Sequence, residues 1–294
     1  MLLATLLSWA VVSLSSAFMR SGPDYEAPLD NQLMMGALVE TAESSRYWVK
    51  VTAEDYTGWV TEKTLTPLSD EEKELYLAAP KWICVTEFSK VREAPSETSE
   101  PLAGITMGNI LRQTGKSSGG WTGVLLPDGR SGWVLSHDLM DFRMWAESRS
   151  ENDLAREITG LACSFAGTPY MWGGNTIKYF DCSGLVKFCF FMNGILLPRN
   201  ASQQQRCGVP VTDGRYECGD LLFFGSKKPL KVTHVGIYIG GGRMVHASQL
   251  VHIVRLEEYE REVVAATRIL GNIDNGKGAI TVHRSPYYFK QDGE

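Results

Sequence analysis

The chain has 294 residues, 44% of them hydrophobic and 21% charged, with only 12 prolines, which excludes a largely disordered or collagen-like protein and leaves room for two or three cored domains. Its formal net charge is −5 (29 Lys and Arg against 34 Asp and Glu), with no basic block, so the electrostatic footprint of a nucleic-acid binder is missing. Six cysteines (Cys84, Cys163, Cys182, Cys189, Cys207, Cys218) form no CxxC pair, which argues against a zinc cluster or a small disulfide framework.

The first uncharged stretch, Met1–Met19, carries a leucine-rich run and Ser15-Ser16-Ala17, a small-x-small pattern. It predicts an export signal over residues 1–17 and a periplasmic or secreted location; an uncleaved membrane anchor is the rival, and no cysteine near the site could take a lipid. Next, two stretches repeat each other. Trp48-Val49-Lys50-Val51 leads to Gly58-Trp59-Val60, and Trp121-Thr122-Gly123-Val124 leads to Gly132-Trp133-Val134. Each reads as strand, turn, strand, with Trp59 and Trp133 filling a small core. These repeats resemble bacterial SH3-like barrels, over residues 22–67 and 80–142. Between them Ser69-Asp70-Glu71-Glu72 has the form of a capped linker helix.

After Phe142 the period changes. Leu154, Ile158, Leu161 and Phe165 recur at helical spacing, with Ser150 or Asn152 as cap, and a second apolar helix runs from Cys182 to Asn193. Strands are expected at Asp220–Phe224, Val232–Ile239, Arg243–Ala247, His252–Leu256 and Val263–Ile269. Helices followed by an antiparallel meander make an α+β order over residues 146–290.

A cysteine in the first turn of a helix faces unpaired N–H groups and the positive end of the dipole, both of which favour thiolate, so Cys182 is placed as a nucleophile; a small buried hydrophobe is the alternative and suits Cys189 better. A base and an orienting partner must accompany it. His234 opens a strand and His246 lies on the next, beyond Gly240-Gly241-Gly242. A three-residue loop pairing Ile239 with Arg243 sets Gly236 opposite His246 and both rings on one face, as diagonal neighbours; a two-residue loop puts them on opposite faces. His137, His252 and His283 read as ordinary half-buried residues. A metal site made by two histidines and a cysteine lacks the usual ligand spacing.

Taken together, Tyr170-Met171-Trp172-Gly173-Gly174, Phe180-Asp181-Cys182-Ser183-Gly184, Leu197-Pro198-Arg199, Gly219-Asp220-Leu221-Leu222-Phe223-Phe224 and His234-Val235-Gly236-Ile237-Tyr238 with His246-Ala247-Ser248 resemble the NlpC/p60 family of cell-wall cysteine peptidases over residues 146–270. The resemblance implies a papain-like catalytic domain with Cys182 as nucleophile, His234 as base and His246 as the orienting residue. It implies further that Tyr170 lines the site and that Asp181 and Ser183 help bind substrate, with no metal or organic cofactor. The two barrels point to a subgroup that cleaves between D-glutamate and the diamino acid of peptidoglycan stem peptides. In that subgroup the first barrel restricts the site to peptides with a free N-terminal L-alanine; Tyr56 matches the barrel tyrosine and Ser202 the substrate loop. A monomer acting on stem peptides is expected. The alternatives are a non-catalytic wall-binding protein and an amidase or acyltransferase using the same triad.

Overall fold

The computed structural model describes residues 9–147 and 151–291. Residues 1–8, in the predicted export segment, and Ser150, the suggested cap, lie outside the described residues. The chain divides into two units: one comprises the stretch up to Trp145 together with the segment from Ser285, and the other runs from Ala146 to Arg284.

The first unit holds two seven-stranded β-sheets that repeat one topology. In the first barrel the spatial order is Leu29–Met34, Ser16–Arg20, Tyr56–Thr61, Trp48–Ala53, Leu38–Ser45, Trp9–Val12, Leu65–Leu68. In the second it is Pro101–Thr106, Phe88–Arg92, Ser131–Leu135, Trp121–Leu125, Ile110–Ser118, Lys81–Cys84, Leu139–Asp141. All pairings are antiparallel.

This repeat corrects the reading of residues 9–17 as a leader and the start of the first barrel at residue 22. Trp9–Val12 occupies the place that Lys81–Cys84 takes in the second barrel, pairing with Leu38–Glu40 on one side and Leu65–Leu68 on the other. Ala10, Val12, Ala17 and Met19 lie in the first barrel's core. A cut after Ala17 would strip one whole strand, and each buried valine lost forfeits roughly 1.5–3 kcal/mol of burial. The composition of a signal segment and of a buried strand is the same, apolar and uncharged, and pairing decides between them.

The tryptophans also differ from expectation. Along Tyr56–Thr61 and Ser131–Leu135 the inward positions belong to Gly58 and Val60, and to Gly132 and Val134, while Trp59 and Trp133 are half-buried on the other face. A Cβ on Gly58 would lie 2.5 Å from Cγ of Met19, and one on Gly132 2.4 Å from Cγ1 of Val91, so the repeat keeps glycine where two strands press together. Between the barrels, Asp70–Ala78 is helical. Its Ser69 hydroxyl accepts from the Glu72 N–H and the Glu72 carboxylate accepts from the Ser69 N–H, a capping box at the cap read from the sequence.

The last segment belongs to this first unit and not to the third domain, whose expected end at 290 becomes 284. Phe289 stacks on Phe142 with ring centroids 5.1 Å apart, and the Tyr288 hydroxyl donates to Glu54 at 2.7 Å.

The second unit is α+β. Helices Glu151–Ser164 and Cys182–Phe191 pack together and against the strand Leu230–Gly240 of a six-stranded antiparallel sheet. The sheet order is Val209–Pro210, Val263–Arg268, Leu221–Lys227, Leu230–Gly240, Arg243–Ala247, Val251–Arg255, so the final long strand returns to the far side of Leu221–Lys227 instead of extending a meander. Nearly every residue of the Cys182 helix is buried, including Leu185, Phe188 and Phe190. A helix apolar all round must be enclosed, and here Phe165, Phe180 and Phe188 close around it with centroids 5.0–5.7 Å apart. Among the described residues no helix is long and apolar enough to cross a membrane.

Candidate active site

Asp181 sets the position of Cys182. It is the extended N-cap of the helix, and its Oδ1 accepts from the Gly184 N–H at 2.7 Å. The Gly173 N–H donates to Oδ2 at 2.9 Å, which ties the preceding glycine turn to the helix start. Position 184 tolerates glycine alone, because a Cβ there would sit 1.9 Å from the Gly174 carbonyl oxygen. The motif around the cysteine is thus a close crossing of two backbones two residues after Cys182.

Arg199, 1% exposed, completes this side: its two Nη groups donate to both oxygens of Asp181, and Nη1 also donates to the Ser183 hydroxyl at 3.0 Å. Ser183 in turn donates to Asp181 Oδ1. Asp181 and Ser183 are both buried, and every side-chain oxygen of the two is engaged within the fold. Arg199 was legible only as part of Leu-Pro-Arg; the signal that could have found it is the buried carboxylate beside the cysteine, which demands a cation.

On the other side lie the histidines. The Val235 N–H, next to His234, hydrogen-bonds the Cys182 sulfur, which brings the thiol to the middle of the strand Leu230–Gly240. Nε2 of His234 lies 2.8 Å from Nδ1 of His246, leaving Nδ1 of His234 as the nitrogen open to a thiol. The rings meet nearly at right angles, 5.0 Å between centroids, both buried.

The register that makes this possible arises differently from the expected three-residue loop. Gly240 pairs with Arg243 across a two-residue Gly241-Gly242 turn, which alone would set the histidines on opposite faces. A bulge at Ile239, between the Tyr238–Met244 and Gly240–Arg243 pairs, inserts the missing residue and returns His234 and His246 to one face. Gly236 lies against His246, as its would-be Cβ, 3.2 Å from the His246 Cβ, attests.

Burial dominates the electrostatics. It pushes the Cys182 thiol up to about 11, with the Asp181 charge adding to the effect, although the Val235 and Ser183 N–H groups and Arg199 pull the other way. The helix-start field is therefore outweighed, contrary to the expected thiolate. Burial likewise pulls His234 down to about 4 and His246 to about 3, helped by Arg261 and the neighbouring imidazoles. At neutral pH the resting pair is thiol and neutral imidazole, ready for proton transfer from one to the other. Tyr170, half-buried, is pushed up to about 12 by desolvation and by Cys182 and Asp181 beside it, so it stays a neutral phenol able to donate.

Ser202 is exposed on the short helix Ala201–Gln204. Tyr56 is half-buried and packs on its own barrel's core. Two residues passed over in the sequence reading stand in the histidine cluster. His252, read as an ordinary strand residue, has Nε2 2.7 Å from Nε2 of His246. Tyr259 lies 5.1 Å from the His246 ring and 6.4 Å from that of His234, centroid to centroid. The signal for His252 was the hairpin at Ser248–Leu250, which sets it directly across from His246. None of the six cysteines is in a disulfide among the described residues, which contain no group of three or more His, Cys, Asp or Glu placed to hold a metal ion.

Residues 167–270 match the NlpC/P60 family, and residues 15–67 and 87–140 each match bacterial SH3 domains. The chain is 30% identical over 269 residues to a gamma-D-glutamyl-L-lysine dipeptidyl-peptidase of Bacillus cereus (strain ATCC 10987 / NRS 248), covering 82% of this chain and 75% of the relative. It is 26% identical over 279 residues to dipeptidyl-peptidase 6 of Lysinibacillus sphaericus, covering 90% and 99%. The crystal structure of an NlpC/P60 family protein from Bacillus cereus ATCC 10987 matches it with a TM-score of 0.76 at 26% identity, over 90% of this chain and 100% of that one. With its two bacterial SH3 domains and its α+β domain, this chain belongs to the NlpC/P60 family of cysteine peptidases.

Proposed function

We propose that the protein is a peptidoglycan endopeptidase that hydrolyses the γ-D-glutamyl bond to the diamino acid, L-lysine or meso-diaminopimelate, of stem peptides bearing a free N-terminal L-alanine, and releases L-Ala-D-Glu. The observation that carries this reading is the sulfur of Cys182 held at a helix start by the N–H beside His234, with His234 in turn bonded to His246. The names of the relatives, gamma-D-glutamyl-L-lysine dipeptidyl-peptidase and dipeptidyl-peptidase 6, support the bond.

In this mechanism Nδ1 of His234 takes the Cys182 proton as sulfur attacks the γ-carbonyl carbon. His246 accepts from Nε2–H of His234 and steadies the imidazolium. Backbone N–H groups at the helix start and the Tyr170 hydroxyl stabilise the oxyanion. His234 then protonates the leaving amine of the diamino acid, the C–N bond breaks, and water, deprotonated by His234, hydrolyses the thioester to free carboxylate and thiol. Asp181 and Ser183 serve substrate binding by holding the wall of the site, and Ser202 and Tyr56 act as contacts to the stem peptide, Tyr56 from the first barrel. The enzyme works as a monomer outside the cytoplasm, where its substrate lies.

Mass spectrometry of products from L-Ala-γ-D-Glu-L-Lys and its diaminopimelate counterpart tests the reading. Release of L-Ala-D-Glu, lost in Cys182→Ala and blocked by N-acetylation of the alanine, is expected. Cleavage at the muramoyl amide, or full hydrolysis by Cys182→Ala, would overturn it.

A further inference from the structure

We infer that His252 is a positioning residue for catalysis: by accepting a hydrogen bond from Nε2–H of His246 it fixes the one proton arrangement in which His234 can act as a base. The inference rests on the Cys182, His234, His246 reading and extends it to a third histidine.

The geometry is a row. His234 Nε2 meets His246 Nδ1 at 2.8 Å, and His246 Nε2 meets His252 Nε2 at 2.7 Å. His246 and His252 are direct cross-strand partners, their ring centroids 4.4 Å apart, and the Ser248 hydroxyl lies 3.4 Å from the same His252 nitrogen. Each of the two contacts holds a single proton, and an imidazole with one proton carries one N–H and one lone pair. The row therefore has two self-consistent directions. In the first, His234 Nε2–H donates to His246 Nδ1 and His246 Nε2–H donates to His252 Nε2, which leaves Nδ1 of His234 a lone pair that can take the thiol proton. In the second, His252 Nε2–H donates to His246 Nε2 and His246 Nδ1–H donates to His234 Nε2, so His234 carries its proton on Nδ1 and cannot accept one from Cys182.

Without His252, His246 is free to adopt either tautomer, and only one of them serves. His252 accepting from Nε2–H selects the first direction and makes Nδ1 of His246 a better acceptor for the imidazolium that forms on His234. Of the charged groups that act on the row, Asp181 favours charge on His234 through space and has no hydrogen bond to an imidazole among those described. Arg261, whose guanidinium donates to the Thr233 hydroxyl, is a cation that opposes charge on His234 and His246, and the Tyr259 phenol, also bonded to Arg261, packs its ring against both. Neither has a hydrogen bond to the imidazoles among those described. The proton taken from Cys182 is therefore held on His234, not passed along the row, until it goes to the leaving amine, and His252 acts by orientation alone.

Two measurements on the full chain decide the matter. In two-bond ¹H–¹⁵N spectra of ¹⁵N-histidine-labelled protein at neutral pH, His246 is expected as the Nε2-protonated tautomer, becoming a mixture in His252→Leu. A His246 protonated on Nδ1 in the unaltered protein, or an unchanged tautomer in His252→Leu, overturns the proposal. In kinetics, His252→Leu is expected to lower kcat about tenfold with KM within twofold, and His252→Gln, which keeps an acceptor, to recover most of it. Equal losses in Leu and Gln variants, or full activity in His252→Leu, overturn it as well. Cys182→Ala serves as the separate control: continued hydrolysis by that variant fails the catalytic reading beneath, while its inactivity together with unaltered tautomers fails the role of His252 alone.

Discussion

The two flanks of Cys182 solve the same problem, polar groups buried beside a thiol, in opposite ways. On the Asp181 side a carboxylate and a guanidinium form a salt bridge, locked by five hydrogen bonds to Asp181 from Gly173, Gly184, Ser183 and Arg199. On the His234 side His234 and His246 are neutral, and three rings are joined in a row by single shared protons. A saturated ion pair is rigid and has no proton to move, so it can only build the site, while burial, with the Asp181 charge adding to it, holds the thiol protonated. The row of rings is costly to charge, which keeps it ready to receive one proton and return it. Structure on one flank and proton traffic on the other is the division that the following experiments would break or sharpen.

Removing the proposed base should have the largest effect. His234→Ala is expected to lower kcat on the γ-D-glutamyl peptide by about 10³- to 10⁴-fold while the thermal midpoint stays within a few degrees, read by product release and by calorimetry. Collapse of the fold in this variant would erase the division, because the imidazole side would then be structural too. Arg199→Met tests the opposite flank. It leaves a buried carboxylate without its cation and should cost about 3–5 kcal/mol in denaturant unfolding, and adding Asp181→Asn, which can still cap the helix, should recover much of that loss. A single Arg199→Met variant as stable as the original protein would show that the ion pair does not hold the site together.

The pH dependence belongs to the imidazole side. His234 and His246 titrate near 6.5 when unfolded but at about 4 and about 3 when folded. The unfolded chain therefore binds more protons between these values, and stability must fall as the pH drops below 6.5, for His234 by roughly 3 kcal/mol on reaching pH 4. His234→Ala should flatten that slope, whereas the Asp181→Asn, Arg199→Met pair should keep it. Unfolding free energies measured between pH 7 and 4 check both, and equal slopes in all three proteins would assign the acid sensitivity elsewhere.

How much of this could be read from the chain follows the same line between local and long-range pairing. The Cys182 helix, the cap at Ser69 and the strand at Arg243–Ala247 are written in neighbouring residues, and they sit where the spacing places them. What was misread depends on partners far along the chain. Trp9–Val12 has the composition of a leader and becomes a strand only through Leu38–Glu40 and Leu65–Leu68. The second barrel offered a hint, since its copy has a strand before the part shared with the first. The turn at Gly240-Gly241-Gly242 was misjudged, yet the histidines met, because the face they must share is fixed by burial and the bulge at Ile239 supplied whatever the turn did not. His252 escaped because a histidine on an edge strand gains its meaning from the residue across the hairpin.

The smallest expected effect is the most discriminating for the charged flank. The Ser183 hydroxyl bridges Asp181 and Arg199 and stands next to the nucleophile, so it could serve the fold or touch the peptide. Its bonds are all internal, and Ser183→Ala should therefore cost about 1–2 kcal/mol of stability, with kcat and KM each within about threefold. Steady-state kinetics and urea unfolding on the one variant separate the possibilities. A tenfold rise in KM with stability untouched would move Ser183 from the scaffold to the binding surface, and the charged flank would then be reading the substrate as well as holding the sulfur in place.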